Sequence, residues 1–360
     1  MLIGPRPILA ATIALLAALI SCLWIEPTQA QGVKIQHLGG GRYMTETVRE
    51  VPADDLRALS IIGPENLGGS IVVTAHPTQT VRLELRKIFK VGSEAEAANF
   101  ERELQYALQT AESALELEIN ARSGAPWEGS EQSARVEITL TIPPDWDLEI
   151  HGRFFEMDLS GPFRRTDIET EYGRIKLANV TQKTRLVGNY TGIEMSNLKG
   201  DIVAQTSFAD LIMRDAIPSA ERPARLANKN GSIVIEKLAG AVIAESENAP
   251  IFLSNVVLLG SGSSLRAVNA MIKADISEFG NAELDIRNSN GAVILRVPKN
   301  LSARLSCAVG IGGSIQTGGI DIQTHPDLLG VGRLEGIIGS GKGVIDIDVT
   351  GPGQIGIQGI

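Results

Sequence analysis

The sequence predicts an all-β protein: a parallel β-solenoid (β-helix) of about nine or more coils, after a β-rich N-terminal region carrying one amphipathic helix. Three observations lead there. A motif of small residue, free position, aliphatic, free position, aliphatic recurs at residues 173–177, 191–195, 209–213, 231–235 and 249–253. A period near twenty residues made of short strands marks a repeat that buries its apolar side only by stacking on its neighbours. Composition agrees, with 38 glycines for turns and only 4% aromatics among 360 residues. Within each motif the aliphatics alternate with free positions, the period-two pattern of a half-buried strand.

The N-terminus reads as an export signal over residues 1–30. Arg6 supplies a positive start, an apolar stretch runs from Ile8 to Ile25, and small residues at Thr28 and Ala30 flank a cleavage site. This predicts a periplasmic or secreted protein. A second reading takes Leu19, Ile20, Ser21 and Cys22 as a lipobox, with Cys22 lipidated as an anchor. Against it, Leu23, Trp24 and Ile25 continue the apolar run. A retained transmembrane anchor is the third option, because the run approaches the length of a span. No later segment is apolar enough to cross a bilayer, so no membrane span is expected after signal removal.

Residues 31–57 read as a loosely structured lead-in, and 58–147 as the β-rich N-terminal region. Leu59, Ile61 and Ile62 make a strand candidate, Gly69 to Val73 repeat the motif once, and Val81, Leu83 and Leu85 alternate. Ser93 followed by Glu96 is a capping-box pattern. Ala97, Phe100, Leu104, Ala107, Leu108 and Ala111 then fall on one helical face, which predicts a helix over 94–113 covering the open end of the array. Its acidic outer face argues against a membrane-surface role. Residues 114–119 and 136–142 alternate as strands around a loop at 123–133.

The array proper is placed at 148–360. Its core anchors are Met157, Ile175, Ile193, Leu211, Ile233, Ile251, Ile272, Val293 and Ile315, with steps of 18, 18, 18, 22, 18, 21, 21 and 22 residues. The residue two positions on shares the anchor's face and points inward with it. Three positions before the anchor stand Phe154, Tyr172, Tyr190 and Phe208, then Asn230, Asn248, Asn269 and Asn290. Stacked strands lie about 4.8 Å apart, a spacing at which rings stack and amides bond along a ladder. Two before the anchor the residues are small, apart from Phe155. Between the two aliphatics, Asp158, Lys176 and Glu194 form an alternating charge ladder on the solvent face.

With these columns in view, the chain resembles the bacterial adhesin-like family of β-strand-repeat proteins of unknown function, related to the head GIN domain. The resemblance rests on the Gly-x-Ile-x-Leu repeats from Leu148 onward. It also rests on the ending: Leu295 to Pro298, a polar loop, Ala303 to Gly312, then Gly341 to Ile357. It implies architecture and leaves activity open, and it brings no catalytic residue.

Chemistry finds little support. The net charge of -9, with no Lys/Arg cluster, excludes nucleic acid as an expected partner. His37, His76, His151 and His325 lack metal-ligand spacing, so no metal or other cofactor is expected. Asp145, Asp147 and Glu149 alternate with apolar residues as one solvated strand face. Gly339, Gly341 and Gly343 beside Lys342 lack the spacing and the following helix of a phosphate loop. Cys307 reads as a buried core residue. Two functions stay open. The first is a non-catalytic envelope scaffold or adhesin-like module that meets an envelope protein or glycan through its side. The second is a polysaccharide-active β-helix lyase or hydrolase.

Overall fold

The computed structural model describes residues 34–128, 133–324 and 332–360. The segment expected to direct export, Cys22 and His325 lie outside them. The chain from Val33 to Ile360 is one compact unit. Among the described residues it is all-β, a 25-stranded and mostly parallel sheet with one helix.

Two ladders of parallel strands build it. In the first, Ile138 pairs with Ile71 and Ile71 with Met157. Farther along, Ile193, Leu211, Ile233, Ile251, Ile272 and Val293 pair in succession. The anchors from Met157 to Val293 are all buried. In the second, Leu117, Ile61, Ile150 and Ile168 pair in turn. Ala204, Leu226, Ala244, Leu265 and Ile286 continue it. Both sets of inward side chains join one continuous apolar core. Strands pair at the repeat offset because a one-residue slip would turn every aliphatic out to water.

Stacking order departs from chain order at both ends. Val293 pairs with Ile355, and Ile355 pairs in turn with Ile315. Strands Gly343–Val349 and Gln354–Gly359 thus lie between the repeats of Val293 and Ile315, so the 22-residue step to Ile315 is not a stacking step. Ile315 is half-buried, because strand Ser314–Gly318 pairs on one side alone among the described residues. The N-terminal end mirrors this. Strand Gly69–Ala75 lies between Ser133–Ile142 and the start of the long strand Phe155–Thr206. The ladders therefore run through the expected boundary at residue 148.

Two local expectations change. The helix spans Glu94–Glu103 and stops there. Ser93 caps it by accepting from the Glu96 amide, and the Glu96 carboxylate accepts from the Gly92 amide. Residues Leu104–Ala111 instead form a strand, antiparallel to Ala114–Ala121 over their whole length. Leu104 and Leu108 satisfy a period of two as well as one near 3.6, Tyr106 joins them only in a strand, and eight ladder pairs outweigh helical propensity. The lead-in is also ordered. Arg42–Pro52 pairs antiparallel with Thr80–Lys90 along its full length, and Gln36–Gly39 adds a short edge.

A buried ion pair docks the helix. Lys87 Nζ lies 2.6 Å from Glu101 Oε1, and Thr45 donates to the other carboxylate oxygen at 2.7 Å. Phe100 packs edge-on against Phe89 and Trp127.

Candidate functional site

The corner that carries the aromatic column is built from strained backbone. Phe154, Tyr172, Tyr190 and Phe208 have φ of 61°, 54°, 54° and 61°. The left-handed region costs an L-residue about 1–2 kcal/mol. Stacking offsets it: consecutive ring centroids are 5.2, 5.1 and 4.6 Å apart, with planes within 11°. Arg153 sits over the Phe154 and Tyr172 rings. The rings are 42–52% exposed. Since their faces cover one another, solvent meets mostly ring edges.

The amide column follows in the same register. Asn248 Nδ2 donates to Asn230 Oδ1, Asn269 to Asn248, and Asn290 to Asn269, at 3.3, 3.3 and 2.9 Å. Asn248 and Asn269 adopt the left-handed conformation themselves, whereas Asn290 passes it to Gly291. Beneath this corner, Asn228 and Asn288 point inward and bond the carbonyls of Ala209 and Ala270. These bonds satisfy backbone that the turn would leave bare.

Sizes across the corner compensate. Phe155 breaks the small column, and a Cβ on Gly63 or Gly152 would strike its ring at 2.7 or 3.0 Å. Thr191 is matched in the same way by Gly188, where a Cβ would meet the Thr191 Cβ at 2.8 Å.

A second left-handed column escaped the sequence reading. Asn179, Asn197, Asp215, Lys237 and Asn255 share φ of 52–64°. Each lies four residues after an anchor, and Asn197 donates to Asn179 across one repeat. The signal was present: Asn or Asp at one offset is the residue choice for that conformation.

Next to the aromatic corner, two outward rows of the second ladder enclose a groove. One row holds His151, Glu169, Val187, Gln205 and Glu245; the other holds Arg153, Glu171, Asn189, Ser207 and Lys229. Two hollows of about 580 and 690 Å³ share Val187, Gly188 and Asn189. Together they cross seven repeats, about 30 Å at strand spacing.

Glu65 and Glu245 have no ion-pair partner among the described residues, but the other carboxylates here are engaged. Glu171 pairs with Arg153 at 2.8 Å and Glu169 with Arg185 at 2.6 Å. Hydrogen bonds from Glu169 and then Asp167 raise the Arg185 pKa. Glu149 meets His151 at 2.9 Å, and Asp147 meets Arg164 at 2.7 Å. Of the trio Asp158, Lys176 and Glu194, Glu194 bonds Arg214, which also holds Glu236 on the next repeat.

Among the described residues no three His, Cys, Asp or Glu side chains gather where they could hold a metal. No described helix is long and apolar enough to cross a membrane. Cys307 is fully buried, and burial pushes its thiol pKa up to about 12.

No protein-family model and no curated protein matches the chain. Similar solved structures include a "putative cell adhesion protein" from Clostridium sporogenes. It is 10% identical, covers 88% of this chain and 100% of its own, and has a TM-score of 0.22. A "putative adhesin" from Parabacteroides merdae is 11% identical over 87% and 95%, with a TM-score of 0.29. Another from Parabacteroides distasonis is 9% identical over 87% and 96%, with a TM-score of 0.21. These bacterial neighbours carry the adhesin-like label implied by the repeat resemblance. Overlap this slight leaves function to be argued from the chain's own residues.

Proposed function

We propose that the chain is a non-catalytic binding module of the cell envelope. It is a β-solenoid exported to the periplasm or beyond, and it meets its partner through its side. The observation that carries this reading is the groove, whose walls are two rows of mostly polar side chains, interrupted by Val187, Ala227 and Val268, held in strand register across seven repeats. A surface repeated at fixed spacing suits an extended polymer better than a compact substrate.

Glu169 and Glu171 beside the ring edges are what an enzymatic reading would use. A glycosidase needs one carboxyl that keeps its proton as the general acid. Here both carboxylates are instead tied up by arginines, Glu171 by Arg153 and Glu169 by Arg185. The test presents immobilised envelope polysaccharides and envelope proteins to the purified mature chain and counts released reducing ends. Retention without release supports the proposal. Release of sugar overturns it in favour of the polysaccharide-active enzyme, and retention on no surface overturns the binding role.

A further inference from the structure

We propose that the groove binds a linear, uncharged polysaccharide laid along the ladder axis, about one sugar unit to each repeat. This rests on the binding-module reading and names its ligand class. Charge is the first argument. The walls carry Glu65, Glu169, Glu171, Glu245 and Glu247 against Arg153, Lys229 and Arg266. The carboxylate excess repels a polyanion. Arg153 and Lys229 are partnered by Glu171 and Glu247, while Arg185 holds Glu169 from outside the walls. A polyanion would therefore have to break pairs already made.

Backbone is the second argument. An added peptide strand needs a free sheet edge. The groove floor at Gly152 and Thr170 is ladder backbone whose strands are already paired. An extended peptide gains no strand pairing there.

What the walls do offer is side-chain hydrogen bonding at repeat spacing. Gln205 is exposed and carries no partner among the described residues. Asn189 accepts from Ser207 through Oδ1, which leaves its amide donors open. The Arg153–Glu171 pair flanks these amides on one side and the Lys229–Glu247 pair on the other. Hydroxyl-rich sugar rings match such donors and acceptors without burying a net charge.

The experiment is calorimetric titration of the purified mature chain with neutral β-1,4-linked hexasaccharides of glucose and of N-acetylglucosamine. Trisaccharides and polygalacturonate serve as comparators. Three variants of the chain are compared: the wild type, N189A/Q205A, and K176A on the other ladder. We expect a neutral hexasaccharide to bind and its trisaccharide to bind more weakly. The double variant should lose about tenfold in affinity, or about 1.4 kcal/mol, and K176A none. Unchanged melting of N189A/Q205A shows that it folds. Failure of both neutral hexasaccharides, equal binding by the double variant, or preference for polygalacturonate overturns the assignment. If the chain and the double variant are still retained equally on an envelope surface, the groove assignment falls while the binding module stands.

Discussion

Single residues hold this molecule together by occupying one column each. Ile233 is fully buried between Leu211 and Ile251. Ile233→Ala removes methylenes from a site whose ladder neighbours are fixed by backbone pairing, so the gap cannot collapse. It should cost about 2–5 kcal/mol in denaturant titration. A loss well below 1 kcal/mol would contradict the burial. Ile193→Asp puts an unpaired carboxylate in the same stack and should abolish cooperative melting. Cys307 gives a titration of known sign. Its folded pKa of about 12 exceeds its ordinary value of 9.0, so the native state keeps the thiol proton longer than the unfolded chain. Its contribution to stability is complete below pH 9.0 and drains away as pH rises towards 12. Native protein should resist a thiol reagent at pH 8 and react fully in denaturant; rapid native labelling would contradict the burial.

Elements show where the sequence could be read and where it could not. The anchors and the corner column were legible because each obeys one offset, and a strand has only two faces on which to put a residue. Phe154 to Phe208 and Asn230 to Asn290 could be sorted for that reason. Helix length was not legible. Leu104 and Leu108 suit either period, and the deciding partner, Ala114–Ala121, lies beyond a turn at Glu112 with φ of 52°. Strand Arg42–Pro52 was hidden for a similar reason, since its partners are 28 to 48 residues away. The groove was not visible either, because sequence shows which residues face out but not how far apart their rows stand. Helix docking depends on the Lys87–Glu101 pair, which is nearly buried. Lys87→Met leaves Glu101 charged without its partner and should cost about 3–5 kcal/mol. Replacing both by Met and Leu should restore most of that loss by denaturant titration. An equal loss in the double variant would show that packing, not charge, sets the cost.

At the scale of the whole molecule, order in space separates from order in the chain. Ladder steps in the middle follow the sequence, because each repeat of 18–22 residues returns the chain to the same ladder, where every second strand pairs. At the ends the chain returns: the final strands enter between two repeats, and an early strand does the same at the other end. No offset could reveal this, since Ile315 and Ile355 both carry the motif and both follow Val293. Antiparallel strands cover one ladder at each end, Arg333–Ile338 on Ala303–Val309 and Thr80–Lys90 on Ser133–Ile142. Such strands blunt the edges that a repeat array otherwise offers to further pairing.

In-register stacking with an inserted last repeat is best tested by cysteine cross-linking in a cysteine-free background. Ile294 faces Gly356 across the ladder, and Gly356 faces Gln316. A disulfide spans about 4.4–6.8 Å between Cα atoms, enough for one strand spacing and too little for two, at about 10 Å. The account predicts rapid closure of I294C with G356C and of G356C with Q316C, and none of I294C with Q316C. Closure of I294C with Q316C, with I294C and G356C left open, would contradict it.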